Sequence, residues 1–397
     1  MRHKLNICVV HPNRSAFSET FIRNHIKFLP ANVFALYGGW FPAFDKNDCR
    51  IADTYIKRSV ASRSVAALCK FLPAGLVNKI DSKIKGYPFD EALNEAAFES
   101  FLCNNKIDVV LAEFMLKGVI VRNVCDSLKI PLVVHTHGGG DIMSNPDFDL
   151  YSNLFADLFL KASGIISVDN YSSLRLLEMG LEKNKLHEVK YGIDLDLFSP
   201  TVPSSNGPVF FAVGRLVNKK APYLTILAFA KVLQRHPNAQ LIIGGNGDLY
   251  DCCIQVTKAL DIEKNILFKD ILTPEEVSHY MCQSRAFVQH SIHTTNRDSE
   301  GTPVAVLEAM ASGLPVISTD HNGIAEVISH GEEGLLVKEN DIDLMAQFMI
   351  QMIENPSLAD ELGRRARSKI EMNFEMTKVI GNLYDVLYEA FLKGSKV

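Results

Sequence analysis

Short apolar runs rich in Val and Ile recur throughout this chain of 397 residues, and segments long enough to form helices separate them. Continuous apolar runs of this kind are typical of parallel strands that crossover helices bury on both faces. The alternation therefore predicts an α/β protein built from parallel sheets. The predicted strands are Leu5–Val10, Val33–Leu36, Val109–Ala112, Leu132–His135, Ile165–Val168, Val209–Val213, Leu241–Ile243, Ile266–Phe268, Ala286–Val288, Pro315–Ile317 and Gly334–Val337.

The series of strands is interrupted at FSPTVPSSNGP, where three Pro, three Ser and one Gly fall within eleven residues. This composition disfavours regular structure and predicts a linker between two domains. We expect one Rossmann-like domain over residues 1–198, the linker over 199–208 and a second Rossmann-like domain over 209–374. A final helix within 375–397 is expected to pack back on the first domain.

Charge and cysteine content narrow the possible functions. A formal net charge of −5 argues against general nucleic-acid binding. None of the eight cysteines forms a C-x2-C pair, which disfavours zinc and thioredoxin-like redox sites. The apolar run at the N-terminus is shorter than a signal-peptide core, and no run of about 18 apolar residues occurs. We therefore expect a cytoplasmic protein.

One stretch, residues 50–89, is strongly basic, with eight Lys and Arg against two Asp. Apolar residues are interleaved with these charges, as in surfaces that lie on anionic lipid. Peripheral contact with the inner face of a membrane is one hypothesis for this stretch. A solvated helical insertion is the alternative.

The motif GTPVAVLEAMASGLPVIST predicts a helix whose first N–H groups face a loop. Thr302 is a good N-cap, Pro303 suits the first helical position, and Gly313 suits the position just after the helix. The N–H groups of Val304 and Ala305 would then form an anion-binding site.

A second motif, VGRLVNKKAPY, places two cations after a predicted strand. The strand would turn at Gly214, and Arg215 and Lys220 would lie in the loop beyond it. The carboxyl end of a strand in an α/β sheet is the usual place for a ligand. Arg can pair two phosphate oxygens, and Lys adds a point charge. Lys219 is the neighbouring alternative to Lys220.

Together these motifs resemble those of the retaining glycosyltransferases of family 4, which have the GT-B fold of two Rossmann-like domains facing across a cleft. The pattern is Glu300-x7-Glu308 followed by AMASGLPVIST, after a GRLV…K loop. The segment YGIDLDLFSP also resembles the one that closes the first domain in this family. An isolated pair of Glu residues would ordinarily be solvated surface, so the combination of motifs carries the resemblance.

The resemblance implies a donor site formed by Gly214, Arg215, Lys220, Gly245, Ile271, Glu300, Gly301, Thr302, Pro303, Val304, Ala305 and Glu308. Arg215 and Lys220 would act in catalysis by neutralising the departing diphosphate, so that neither a metal ion nor another cofactor is expected. Glu308 would accept hydrogen bonds from the ribose, and Glu300 would contact the transferred sugar and act in catalysis. Amides near Gly301 would hold sugar hydroxyls, and those that begin the helix would hold phosphate.

Three further segments partly match known ligand-binding motifs. GGNG after a predicted strand lacks the third glycine of a dinucleotide fingerprint. Asp194-Leu195-Asp196 has the form of a D-x-D metal motif, but it lies in the domain-closing segment. Asp270 lies in a turn that binds the nucleotide base in the family and usually contains a glycine there. The departure from glycine leaves the identity of the base open.

The first domain is expected to bind the acceptor. His135 and His137 end a predicted strand and share one side of it. The family commonly has His-Gly-x-Asp at this point, so the resemblance implies that His137 lies near the reacting sugar and acts in catalysis. Asp141 follows one residue later than in the family pattern and is assigned to the acceptor. A core histidine with a satisfied hydrogen bond is the alternative for His137.

Other acceptor candidates are Ser18, Glu19, Thr20 and Glu113. Ser18 also suits the N-cap of a helix, with Glu19 favoured by the helix dipole. The same residues resemble a loop that faces the acceptor in exopolysaccharide-type members of the family. Glu113 directly follows a predicted strand.

The leading prediction is transfer of a hexose from a nucleotide diphosphate sugar, UDP ahead of GDP, to a glycan or lipid-linked glycan. Cell-surface polysaccharide synthesis is the expected setting. The alternatives are a UDP-sugar 2-epimerase, which needs no acceptor, and a non-catalytic sugar-binding subunit.

Overall fold

The computed structural model describes residues 4–14, 19–38, 41–53, 88–138, 141–142, 148–295 and 299–394. Within these residues the chain forms two sheets of largely parallel strands with helices on their faces. The predicted fold class is therefore confirmed. Apart from the two edge strands of the first sheet, the strands coincide with the predicted apolar runs, because such runs can be buried on both faces.

The first sheet has the order β3-β2-β1-β4-β5-β6-β7 within the described residues, and only β3 is antiparallel to its neighbour. Its strands are β1 Asn6–His11, β2 Asn32–Tyr37, β3 Phe44–Asp45, β4 Val109–Glu113, β5 Leu132–His135, β6 Gly164–Ser167 and β7 Leu186–Glu188. The sequence did not predict β3 and β7, because two or three residues of mixed polarity carry no apolar run. Helices α1 Thr20–Phe28, α2 Pro88–Asn104, α3 Met115–Leu128, α4 Phe148–Lys161 and α5 Asn170–Glu178 connect the strands.

The second sheet has the order β10-β9-β8-β11-β12-β13, with every pair parallel among the described residues. Its strands are β8 Val209–Val213, β9 Gln240–Gly244, β10 Ile266–Lys269, β11 Ala286–Gln289, β12 Val316–Thr319 and β13 Gly334–Val337. Its helices are α6 Pro222–Leu233, α7 Tyr250–Ala259, α8 Pro274–Cys282, α9 Val304–Ala311, α10 Asn322–Val327, α11 Ile342–Glu354 and α12 Pro356–Asn373.

The last helix, α13 Met376–Gly394, returns to the first domain. Its apolar face, which includes Val379, Leu383 and Leu387, packs with residues of the first sheet such as Val9. The Pro- and Ser-rich segment between the sheets contains a short 3-10 turn at Pro203–Ser205, where the sequence predicted no regular element. Proline restricts φ to values that such a turn accepts.

Among the described helices, none is both long enough and apolar enough to cross a membrane. Most of the basic 50–89 stretch lies outside the described residues.

Candidate functional site

A cleft of about 880 Å³ lies between the two domains and is lined from both sides. It is bounded by the loops after β8, β9 and β10 and by the N-terminus of α9 on one side, and by α1 and the loop after β5 on the other. The residues assigned from sequence that line it are Glu19, Thr20, His137, Asp141, Gly214, Arg215, Lys220, Gly245, Ile271, Glu300, Gly301, Thr302, Pro303, Val304, Ala305 and Glu308. The structure thus brings both predicted half-sites into one cavity.

Two glycines allow the turns after β8 and β9 to approach each other closely. Gly214 and Gly245 have φ values of 149° and 120°. A Cβ atom on Gly245 would lie 2.1 Å from the carbonyl oxygen of Gly214, so no side chain fits there. Asp270, which directly follows β10, contacts the turn after β9, since its Oδ1 accepts a hydrogen bond from Asn246 Nδ2 at 3.1 Å. Ile271 is 48% exposed at the edge of the cleft.

Lys220 and Glu300 form an ion pair at the centre of the predicted donor half-site. Lys220 Nζ lies 2.8 Å from Glu300 Oε2, and the two side chains are only 16% and 13% exposed. Burial alone would raise the pKa of Glu300, but Lys220, with Lys219 and Arg215 nearby, holds it below its ordinary value. Lys219 Nζ instead donates to the carbonyl oxygen of Ser299 at 3.4 Å. Lys220 is therefore the lysine that pairs with Glu300.

The helix predicted over this site begins one residue later than expected. Its N-cap is Pro303, with φ −67° and ψ 125°, and the first helical residue is Val304. The prediction of Thr302 as the cap was wrong, because its hydroxyl donates to the carbonyl oxygen of Gly323 at 3.5 Å. Gly313 does follow the end of the helix, with φ 70°, as predicted.

Glu308 lies in the second turn of α9, where burial raises its pKa to about 7. The positive charge of Arg23, in α1 of the opposite domain, acts to lower that pKa. Arg23 lines the cleft but was not identified from sequence. Its position four residues after Glu19 in α1 would have been a usable signal, because residues i and i+4 share a helix face.

His137 lines the cleft, but its side chain is almost fully buried. The residue is half-buried, but its side chain is only 2% exposed. Nε2 lies 2.8 Å from Glu113 Oε2, and Nδ1 lies 3.2 Å from the Tyr191 hydroxyl. The ring stacks on His135 with centroids 4.6 Å apart, so the two histidines do share one side. Burial lowers the pKa of His137, and its contacts with Glu113 and Tyr191 engage both ring nitrogens.

Glu113 was assigned to the acceptor, and the structure places it elsewhere. It is fully buried and does not line the cleft, because Oε1 accepts from His25 Nδ1 at 2.8 Å while Oε2 accepts from His137. Burial alone would raise its pKa, yet the two imidazoles hold the pKa of Glu113 well below its ordinary value. Glu113 therefore fixes the orientation of the His137 ring from the protein interior.

Asp141 lines the cleft but also holds the local main chain. Its carboxylate accepts from the N–H groups of Met115 at 3.1 Å and of His137 at 3.2 Å. Asp141 therefore links the N-terminus of α3 to the loop after β5 by hydrogen bonds to both main chains. Burial raises the pKa of Asp141 to about 7 against these hydrogen bonds.

At α1, the N-cap position belongs to Glu19 rather than to Ser18, which lies outside the described residues. Glu19 makes no side-chain cap; its Oε1 accepts from Asn13 Nδ2 at 2.8 Å, and the carboxylate lines the cleft. Asp194, of the D-x-D motif, accepts hydrogen bonds from the N–H groups of Asp196 and Leu197 and forms a turn.

The two domains meet beside the loop Glu300–Thr302, which precedes α9. A Cβ atom on Gly301 would lie 3.3 Å from Gly138 Cα and 2.8 Å from Asp169 Oδ2, so a side chain there would displace the Asp169 carboxylate and crowd the facing loop. Farther out, the carboxylate of Glu326 in α10 accepts hydrogen bonds from the N–H group of Asn170 at 3.0 and 3.1 Å. This contact crosses from the second domain to the N-terminus of α5 in the first.

One wall of the cavity carries cations and the N–H groups at the start of α9. Both walls carry carboxylates, which can accept hydrogen bonds from hydroxyl groups. Arg215, Lys220 and the start of α9 surround space suited to a diphosphate. Glu300 and Glu308 can accept hydrogen bonds from sugar and ribose hydroxyls. This combination suits an anionic, hydroxyl-rich ligand.

Comparison with known proteins agrees with this description. Residues 196–369 match the family described as glycosyl transferases group 1. The amylovoran biosynthesis glycosyltransferase AmsK of Erwinia amylovora is 24% identical over 391 residues, covering 93% of this chain and 96% of the relative. The UDP-Gal:alpha-D-GlcNAc-diphosphoundecaprenol alpha-1,3-galactosyltransferase of Escherichia coli is 23% identical, and the alignment covers 84% of each chain.

Among solved structures, that of Anabaena HepE in complex with UDP and glucose matches with a TM-score of 0.72. The match covers 97% of this chain and 100% of that chain at 16% identity. At this identity the likeness is one of fold.

Proposed function

We propose that this chain is a glycosyltransferase of group 1 that transfers a hexose from a nucleotide diphosphate sugar with retention of anomeric configuration. One observation carries the proposal. The Lys220–Glu300 ion pair, Arg215 and the N-terminus of α9 share a cavity with residues of the opposite domain. A donor in that cavity would have its diphosphate beside cations and its sugar beside the acceptor wall.

The proposed chemistry follows from the charges. Cleavage of the sugar–phosphate bond leaves negative charge on the departing diphosphate, and cations fixed in place stabilise it as it forms. Arg215 can pair two oxygens, Lys220 adds a point charge, and the N–H groups of Val304 and Ala305 complete the cradle. We propose that these groups together make a divalent metal unnecessary. Front-face attack within an ion-pair-like state is the proposed route to retention.

Of the donors, we propose UDP-sugars ahead of GDP-sugars. This choice is supported by the UDP bound in the HepE structure and by the UDP-Gal in the name of the Escherichia coli relative. Before the donor binds, Lys220 is occupied by Glu300 at 2.8 Å. A diphosphate would compete for Lys220 and leave the Glu300 carboxylate available to sugar hydroxyls.

We propose a glycan or lipid-linked glycan as acceptor, bound along the wall that carries Glu19, Thr20 and Asp141. The names of the two relatives place them in polysaccharide and lipid-linked glycan synthesis, which supports a cell-surface polysaccharide as the product. We place the enzyme in the cytoplasm, at the inner face of the membrane. Co-sedimentation with anionic liposomes at low salt tests whether the 50–89 stretch contacts lipid.

The decisive experiment is donor binding by thermal shift and calorimetry with EDTA present. The probes are UDP-glucose, UDP-galactose, UDP-N-acetylglucosamine and GDP-mannose. We expect one nucleotide class to bind and Arg215→Ala to weaken it at least about tenfold, or roughly 1.4 kcal/mol. Arg364→Ala is the matched control, because Arg364 is exposed on α12 and outside the cleft lining.

Three outcomes would contradict the proposal. Binding that requires a divalent ion would remove the metal-free mechanism. Conversion of a UDP-sugar to its 2-epimer without acceptor would favour an epimerase. Failure of every probe to bind would favour a non-catalytic subunit.

A further inference from the structure

Three consecutive residues at the start of α10 contact the three consecutive residues of the donor loop, Glu300–Thr302. The N–H group of Glu300 donates to His321 Nε2 at 3.1 Å. Its carbonyl oxygen accepts from Asn322 Nδ2, also at 3.1 Å. Both main-chain polar groups of Glu300 are therefore held by neighbouring side chains of one segment.

The third contact is steric. A Cβ atom on Gly323 would lie 2.5 Å from Thr302 Oγ1 and 2.7 Å from both Gly301 C and Thr302 N. Only glycine permits α10 to approach the loop this closely. The Thr302 hydroxyl also donates to the Gly323 carbonyl oxygen at 3.5 Å. The segment 321–323 thus contacts each residue of the donor loop.

The geometry points to a positioning role: we infer that His321, Asn322 and Gly323 form a clamp that holds the main chain of Glu300–Thr302 in its donor-binding conformation. The inference rests on the proposed function for the identity of the donor. A carboxylate that must meet a sugar hydroxyl needs its main chain fixed, since small displacements cost much of the binding energy.

Glu339 sets the protonation of the clamp. Its Oε1 lies 2.6 Å from His321 Nδ1 and 2.6 Å from His293 Nδ1. A carboxylate here accepts the Nδ1 proton of His321, which leaves Nε2 unprotonated and able to accept from the Glu300 N–H. Burial lowers the pKa of His321 below its ordinary value, in keeping with a neutral ring.

The side chains of His293, His321 and Glu339 bring their ligand atoms within 4.8 Å of one another, an arrangement that could also hold a metal ion. Proton positions decide between the two interpretations. A metal on His321 Nδ1 would require the proton on Nε2, where it would face the N–H group of Glu300, also a donor. Two donors cannot bond to each other, so the 3.1 Å contact favours the clamp.

Asn322 offers a variant that separates positioning from folding. Its φ of 38° lies in the left-handed region, where glycine is unstrained. Asn322→Gly therefore removes the hydrogen bond to Glu300 without adding backbone strain. Asp261→Gly is the matched control, because Asp261 has φ 54°, is exposed and lies outside the cleft lining.

The first measurement is amide hydrogen exchange of donor-free protein, read on peptides that span 299–303. In Asn322→Gly and in His321→Phe we expect faster exchange there, with an unchanged melting temperature for Asn322→Gly. Wild-type exchange in both variants would overturn the clamp, whatever the protein binds. The control should match wild type.

The second measurement compares UDP-glucose with UDP. Loss of one hydrogen bond of the clamp should weaken UDP-glucose about fivefold, while UDP, which lacks the sugar, changes less than about twofold. Equal losses for both ligands would contradict positioning of Glu300. Failure of the wild type to bind any sugar nucleotide would instead refute the proposed function, and the exchange result would still decide the clamp.

Discussion

Replacing Lys220 by Met tests the central ion pair of the site. Lys220 Nζ and Glu300 Oε2 are 2.8 Å apart with side chains 16% and 13% exposed, so the pair is mostly buried. Removing one partner of a fully buried pair costs about 3–5 kcal/mol, because it leaves a charge without compensation. Here Arg215 and Lys219 also lower the pKa of Glu300. We therefore expect a smaller loss, about 2 kcal/mol.

For a domain of this size, a loss of about 2 kcal/mol lowers the melting temperature by about 4–8 °C. Glu300→Gln and the double variant complete a thermodynamic cycle. In the double variant the buried charge is gone, so its destabilisation should be smaller than the sum of the single effects by about 1 kcal/mol or more. Strict additivity of the two single substitutions, measured by urea unfolding of the donor-free protein, would refute the argument.

Two further predictions concern Glu308 and Glu326. Burial raises the pKa of Glu308 to about 7 in the donor-free protein, whereas ribose hydroxyls favour its ionised form; donor affinity should thus be constant above pH 7 and fall by up to about tenfold per pH unit below it. Calorimetry from pH 5.5 to 8.5 should show that slope flattened in Glu308→Gln, and an equal slope in both proteins would contradict the assignment. Glu326 caps α5 across the domain interface, and a carboxylate at a helix N-terminus contributes about 1 kcal/mol, so Glu326→Ala should shift the protein about fivefold towards an open cleft. Small-angle scattering would detect the larger radius of gyration, and an unchanged radius would contradict the role of this contact.

Much of the fold could be predicted from sequence, because buried parallel strands leave a local signal. Each apolar run became a strand within one or two residues, while β3 and β7 left no such signal. The sequence also predicted the parts of a donor half-site from contiguous motifs, and the structure places these residues around one cavity. Gly214, Arg215 and Lys220 form one loop, and Glu300 and Glu308 flank one helix start. The first residue of α9 could not be predicted exactly, because a Thr-Pro pair is compatible with more than one N-cap position.

Pairing between distant residues was decided only by the tertiary structure. Glu113 follows a strand and suggests a residue at the sheet edge, but its two oxygens are taken by histidines 88 and 24 residues away in sequence. The charge of Arg23, in the other domain, acts on Glu308, and His321 accepts the N–H of Glu300, which lies 21 residues earlier in the sequence. Periodicity and capping report which face of an element is buried. The partner of a buried carboxylate or imidazole depends on how the helices and strands pack together. No local stretch of the sequence specifies that packing.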